Sequence, residues 1–260
     1  MRIRVTVAAV SGALALSAFA APAAHAVAAA PNVTFSDMKI NGGKAISIGA
    51  TSTVRVTATY TVTHPTTVSM ANVLTGPLLY RGTSAKDADT LVGSDDPGTC
   101  TTVDSTTVNC SATITIPADE LYNSDAGTWK QGGVAVDKNT QAQKWQDGLG
   151  TLPVRRATKL TTDAAPEPVK KGSTLTVTGK LTRADWEHGT YGVFSSQSVS
   201  LQFRKAGSTT YTTVKTVTSS STGTLKTTVT AGYDGYYRFS YAGSTTASGI
   251  SAAGDYVDVQ

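Results

Sequence analysis

Four aspartates fall within ten residues, in Lys86-Asp87-Ala88-Asp89 and Gly93-Ser94-Asp95-Asp96-Pro97-Gly98. By type and spacing they are the side chains best suited to hold an ion. A hard divalent cation takes roughly six to eight oxygens from closely spaced carboxylates and carbonyls. The spacing is not that of the helix–loop–helix calcium loop, D-x-[DN]-x-[DN]-G-x5-E. Two readings stand side by side: a Ca²⁺ site made by Asp87, Asp89, Asp95 and Asp96 on loops, or carboxylates that only solvate turns. Asp119, Glu120 and Asp125 form a second, sparser acidic group.

Catalytic chemistry has less to draw on. Past residue 26 the chain has two histidines, His64 before Pro65 and His188 in a polar turn, and no G-x-S-x-G nucleophile elbow. Carboxylates such as Asp119-Glu120, or Asp185 and Glu187, could in principle hydrolyse a glycosidic bond, yet one or two positions apart on turns they read as solvated. The cysteines, Cys100 and Cys110, flank TTVDSTTVN. A close even pair in an exported chain reads as a disulfide, here across a hairpin turning at Asp104-Ser105-Thr106. No catalytic residue is assigned, and no cofactor other than Ca²⁺.

Binding through aromatics is a third chemistry. Trp186 and Tyr191 stand in RADWEHGTYGVFSSQ, and Trp145 in KNTQAQKWQDG. A flat ring beside polar groups can stack on a sugar or dock a protein, and it can equally cover the end of its own domain. Lys170, Lys171, Arg204 and Lys205 could favour an anionic surface. The chain lacks the dense basic patch with interleaved aromatics of a nucleic-acid binder.

The elements that must carry these groups are strands. About one residue in six is threonine, which loses rotamer freedom in a helix and fits a half-solvated pleated surface. Charged residues are 15% and hydrophobic ones 40%, too apolar for a disordered chain. MRIR, an apolar run of about sixteen and Ala24-His25-Ala26 make a Sec-type signal peptide over residues 1–26, cleaved after Ala26. The run is too short to span a membrane. A secreted, soluble monomer without a lipid anchor is expected. Residues 27–155 carry nine basic and eleven acidic side chains (net −2), and residues 156–260 carry eleven and seven (net +4).

Alternation is plain in TSTVRVTATYTVTH, where Val54, Val56, Ala58, Tyr60 and Val62 share one face. NVTFSDMKI, KAISIG, TVSMANVL, the cysteine hairpin running into SATITIP, WKQGGVAV and LPVRR are the other strands expected in the first half. In the second, Leu175, Val177, Gly179 and Leu181 point inward, as do Val199, Leu201 and Phe203, and Leu225 with Val229. Seven such strands in about 105 residues match an immunoglobulin-type sandwich. Asp125-Ala126-Gly127-Thr128-Trp129-Lys130 and Asp234-Gly235-Tyr236-Tyr237-Arg238 repeat one plan: an Asp/Gly turn, an aromatic two residues after the glycine, then a basic residue. The expectation is all-β, with two tandem immunoglobulin-like sandwiches, residues 27–155 and 156–260.

KLTTDAAPEPVKKGSTLTVTGKLTRADW, GTLKTTVTAGYDGYYRFSYAG and the closing GDYVDV resemble the immunoglobulin-like repeat of secreted proteins from high-GC Gram-positive bacteria. The first half, with its cysteine hairpin and NSDAGTWK, resembles the domain that precedes it. The resemblance implies fold and location, and transfers no catalytic residue. Some similar proteins carry a calcium-binding label. The function expected is a non-enzymatic binding or structural role at or outside the cell wall, with wall polysaccharide or an extracellular protein as partner. A calcium-binding version using the loop aspartates is the alternative, and an extracellular hydrolase or accessory carbohydrate-binding protein the third.

Overall fold

The computed structural model describes residues 28–260. The signal peptide over residues 1–26 and cleavage after Ala26 lie outside the described residues. The first strands are β1 (Thr34–Ile40), β2 (Ile46–Ile48), β3 (Thr53–Thr63), β4 (Val73–Gly82) and β5 (Ala88–Gly93). They are followed by β6 (Thr99–Asp104), β7 (Thr107–Pro117), β8 (Gly127–Asp137), β9 (Gln143–Gln146) and β10 (Thr151–Arg156). Then come β11 (Thr158–Leu160), β12 (Asp163–Ala165), β13 (Thr174–Asp185), β14 (Thr190–Val193) and β15 (Ser198–Lys205). The chain closes with β16 (Thr212–Thr218), β17 (Thr224–Thr230), β18 (Gly235–Tyr241), β19 (Ile250–Ser251) and β20 (Asp255–Val257). The fold is all-β, and short 3-10 turns are the helical elements among the described residues.

Contacts divide the chain into two compact units. One comprises the stretch ending at Lys44, Arg55–Ile116 and Trp129–Leu152; the other comprises Ala45–Val54, Pro117–Thr128 and Pro153–Gln260. In the first unit β1, β3, β7 and β6 form one sheet in that order, and β5, β4, β8 and β9 pair as neighbours in another. The alternation of β3 is realised as read: Val56, Ala58, Tyr60 and Val62 are buried, while Thr53, Arg55, Thr57 and Thr59 are exposed. Phe35 of β1 lies so near Gly133 of β8 that an added Cβ would sit 2.7 Å from its ring, so the missing side chain lets the two sheets close. Tyr60 joins them again: its ring is 5.7 Å from Phe35, and its hydroxyl is 3.0 Å from the Thr75 hydroxyl of β4. Desolvation by that burial raises the Tyr60 hydroxyl above its ordinary pKa, against a lowering hydrogen bond from Thr75. Cys100 and Cys110 face each other across β6 and β7 and are bonded.

Two segments differ from the expectation. TVSMANVL is not a strand: Met70–Asn72 is a 3-10 turn, and the strand begins at Val73 and runs through Gly76-Pro77 to Gly82. Pro77 is tolerated because β5 pairs with β4 only from Leu78 onward, so a missing N–H beyond that point costs the ladder little. The stretch between the two pairs of aspartates is also a strand, β5.

The second unit is a sandwich of two facing sheets. In one, β13 pairs with β11, β12, β14 and β17; in the other, the order is β16-β15-β18, with β19 and β20 both on β18. Leu175, Val177, Leu181 and Leu225 from the first sheet, and Val199, Leu201, Phe239 and Val257 from the second, meet in one core. Each is fully buried, and at about 25 cal/mol per Å² such side chains stabilise by roughly 1.5–3 kcal/mol apiece. Gly127 and Gly235 open β8 and β18, and the aromatics two residues on, Trp129 and Tyr237, are buried as the repeated motif requires.

Candidate functional site

The four aspartates do not converge. Thr90, Leu91 and Val92 favour extended backbone, and β5 pairs along β4, so Asp89 stands at its start and Asp95 beyond its end. Six residues of strand place them about 20 Å apart. Asp87 accepts a bond from the Ser84 hydroxyl at 3.1 Å. Asp95 accepts the Thr115 amide at 3.0 Å, the Thr115 hydroxyl at 2.6 Å and Arg55 at 3.2 Å. A groove of about 270 Å³ beside it is lined by Arg55, Thr57, Asp96, Thr99 and Thr113. Asp119 and Glu120 are exposed on a 3-10 turn, and buried Asp125 accepts the Tyr122 amide at 2.8 Å.

The three rings chosen for binding are dispersed. Trp186 is no platform: it is 3% exposed, and its indole N–H donates to the Ile48 carbonyl at 3.2 Å. The connection expected around it is a hairpin in which β13 continues to Asp185 and β14 pairs back from Thr190. Trp145, on β9, is half-buried against Leu78, Tyr80 and Ala85. Tyr191 is half-buried with the Lys159 ammonium 3.9 Å from its ring centre.

Asp185, Glu187 and His188 gather at the tip of the β13–β14 hairpin, with ligand-capable atoms within 4.8 Å of one another. Asp185 accepts the Asn123 amide at 2.7 Å and has His188 Nδ1 at 2.9 Å; Glu187 accepts the Asn123 backbone N–H at 3.0 Å. The bond from Asn123, aided by His188, holds the Asp185 carboxyl below its usual range. Trp186 N–H in turn donates to the Asn123 side chain at 3.0 Å. These acceptors are used in fixing the hairpin tip. His64 Nδ1 lies 3.0 Å from the Pro65 carbonyl.

An ordered array of functional groups lies on the outward face of the β16-β15-β18-β20 sheet. Because strand side chains alternate, the residues between the core positions Leu201, Tyr237, Phe239 and Val257 point the other way. They are Gln202 and Arg204 of β15, Tyr236 and Arg238 of β18, and Tyr256 of β20. Register aligns Tyr256 with Tyr236 and Tyr236 with Arg204, and in the next row Arg238 with Gln202. The Arg204 guanidinium is 4.0 Å from the Tyr236 ring centre and 5.3 Å from that of Tyr211; Arg238 stacks on Tyr211 at 3.7 Å. Tyr236 and Tyr256 are 5.1 Å apart. Arg238 Nε donates to Gln202 at 2.9 Å, and Arg204 donates to the Ser208 carbonyl at 2.6 Å. At the margin Lys205 and Lys171 stand 4.5 and 5.6 Å from the exposed Tyr233 ring.

Electrostatics follow this packing. The Tyr211 hydroxyl beside its guanidinium, then Tyr236, push Arg204 further above its already high pKa. Desolvation and then the nearby Asp234 and Asp258 raise the Tyr256 hydroxyl. The groups that hold Arg204 and Arg238 are tyrosines, a carbonyl and an amide rather than carboxylates. The array can offer planar cationic forks and phenol hydroxyls to an anion. Sequence reasoning noted Arg204 but missed the array. The signal available was the outward set of the alternating strands, Gln-x-Arg and Tyr-x-Arg.

No protein-family model matches the chain. No curated protein matches its sequence. Among solved structures it is similar to a marsupial T cell receptor, with 13% identity over 88% of this chain and 73% of that one and a TM-score of 0.39. It is also similar to FdeC, an Escherichia coli adhesin, with 14% identity over 89% of this chain and 65% of that one and a TM-score of 0.36. A three-immunoglobulin-domain fragment of titin gives 14% identity over 89% and 66% and a TM-score of 0.32.

Proposed function

We propose that this is an exported, non-catalytic immunoglobulin-like protein that binds a polymer at or outside the cell wall through the outward face of its β16-β15-β18-β20 sheet. The observation that carries the reading is the stack of Arg204 and Arg238 on Tyr211 and Tyr236, held in place before any ligand arrives. Preorganised side chains lose less freedom on binding, so more of the contact energy appears as affinity. Export is supported by the Cys100–Cys110 bond, which belongs to an oxidising compartment, and by the signal-type residues at the start of the chain. The resemblance to secreted repeat proteins of high-GC Gram-positive bacteria supports the same setting.

The test is retention on an insoluble cell-wall preparation, comparing the wild type with the pair Arg204→Gln and Arg238→Gln. The wild type is expected to sediment with the wall and the paired variant to stay in solution. Equal sedimentation of both, or of neither, overturns the reading.

A further inference from the structure

We propose that the ligand of the tyrosine–arginine face is a linear polysaccharide whose sugars carry carboxylates, an inference that rests on that face being the binding surface. Arg204 and Arg238 stand in adjacent cross-strand rows and stack on rings rather than pairing with acids. Stacking fixes the plane of each guanidinium, and the fork of a fixed guanidinium matches the two oxygens of a carboxylate. With Arg238 Nε bonded to Gln202 and Arg204 Nη1 bonded to the Ser208 carbonyl, rotation is restricted further, and the bond to Gln202 leaves the Nη end of the Arg238 fork unused.

The surroundings match sugar rather than a chain of dense charge. Between and beside the cations lie the hydroxyls of Tyr211, Tyr236 and Tyr256, and β16 adds the exposed Thr213 and Thr216, which pair with Gln202 and Ser200. Such neutral donors and acceptors are the partners of sugar hydroxyls. Duplex DNA presents a charge about every 1.7 Å and rewards clustered Lys and Arg. Here each guanidinium alternates with a tyrosine, so the cations are spaced more widely than a duplex's phosphates. From β20 to β16 the array crosses three strand spacings, about 14 Å, so the ligand it fits is extended and flat.

Affinity electrophoresis of the purified full chain, in native gels with and without polygalacturonate, tests this. Polygalacturonate is expected to retard the wild type. Fully methyl-esterified polymer at equal mass, and polyglutamate and single-stranded DNA at equal charge, are expected to retard it at least tenfold less. The pair Arg204→Gln and Arg238→Gln is expected to weaken binding at least tenfold. Arg238→Lys, which keeps the charge and loses the fork, should weaken it at least threefold, and it answers the question if the paired variant fails to fold. Absence of retardation by polygalacturonate overturns the proposal, as does equal retardation by polyglutamate or DNA, or binding undiminished in Arg238→Lys. If polygalacturonate fails while wall retention still depends on the two arginines, the ligand class falls and the binding face stands. If the wild type is retained by neither, both fall.

Discussion

Replacing Trp186 by alanine separates a structural role from a binding one. The ring is 3% exposed, and a tryptophan buries about 150–250 Å², worth roughly 4–6 kcal/mol at about 25 cal/mol per Å². That figure is an upper bound, because an unfolded chain already hides part of its apolar area. The indole N–H bond to the Ile48 carbonyl adds about 1 kcal/mol. Truncations of buried tryptophan cost about 3–5 kcal/mol, so about 4 kcal/mol is expected for Trp186→Ala. Trp186→Phe keeps most of the burial and loses only the N–H. The Ile48 carbonyl also accepts the Ala157 amide at 2.8 Å and is not orphaned, so about 1–2 kcal/mol is expected there. Urea unfolding followed by far-ultraviolet circular dichroism measures both, with wall retention measured beside it at a temperature where each variant is folded. A loss below about 1 kcal/mol for Trp186→Ala refutes the packing argument. Loss of retention in a variant that is still folded refutes the assignment of binding to the other sheet.

Three further outcomes are expected. Cys100→Ser with Cys110→Ser opens a loop of sequence separation 10 and should cost about 2–3 kcal/mol in urea unfolding; less than 1 kcal/mol would deny the bond a stabilising role. The Asp185 carboxyl is held below its ordinary value of 3.8, chiefly by the Asn123 hydrogen bond, so the unfolded chain binds that proton more readily. Its stabilisation is therefore full above the unfolded pKa and fades as pH falls through the lower folded one. The melting-temperature difference between wild type and Asp185→Asn should shrink below about pH 4, and a difference constant down to pH 2 sinks this assignment. Asp95→Asn weakens the bonds to Thr115 and Arg55 and should cost about 1 kcal/mol, with Ca²⁺ leaving the wild-type melting temperature unchanged. A Ca²⁺-induced rise abolished by Asp95→Asn would favour the calcium reading instead.

The parts of this fold that were legible in the sequence are those where one alternation runs unbroken. In β3, in β15 and in β13 as far as Leu181 a period of two sorts Val, Leu and Tyr from Thr and Arg, and the structure follows it. Reading stopped where the alternation slips or where polar residues build a strand. In β13 Leu181 is buried, Thr182 and Arg183 are half-exposed, and Ala184 is buried, so the inward positions change parity. After that slip Trp186 falls on the inward side, which its polar neighbours conceal. Likewise KDAD and GSDD read as acidic loops, but Thr90-Leu91-Val92 between them pairs with β4. Pairing with the preceding strand overrides local composition.

The same property explains why the candidate site was out of reach while its residues were in plain view. Gln202 and Arg204, and Tyr236 and Arg238, can each be assigned to the outward side of a strand from their own sequence. What makes them one array is register: β15 lies against β18 so that Arg204 meets Tyr236 and Gln202 meets Arg238. A slip of β15 by one residue would send Arg204 into the core beside Phe239 and bring Leu201 and Phe203 to the surface, and the cost of burying an unpaired guanidinium forbids it. The core thus sets the register, and the register sets the spacing of the outward groups. An Arg204→Leu change should accordingly leave the strands in place, whereas Leu201→Arg should unfold the sheet that presents the array.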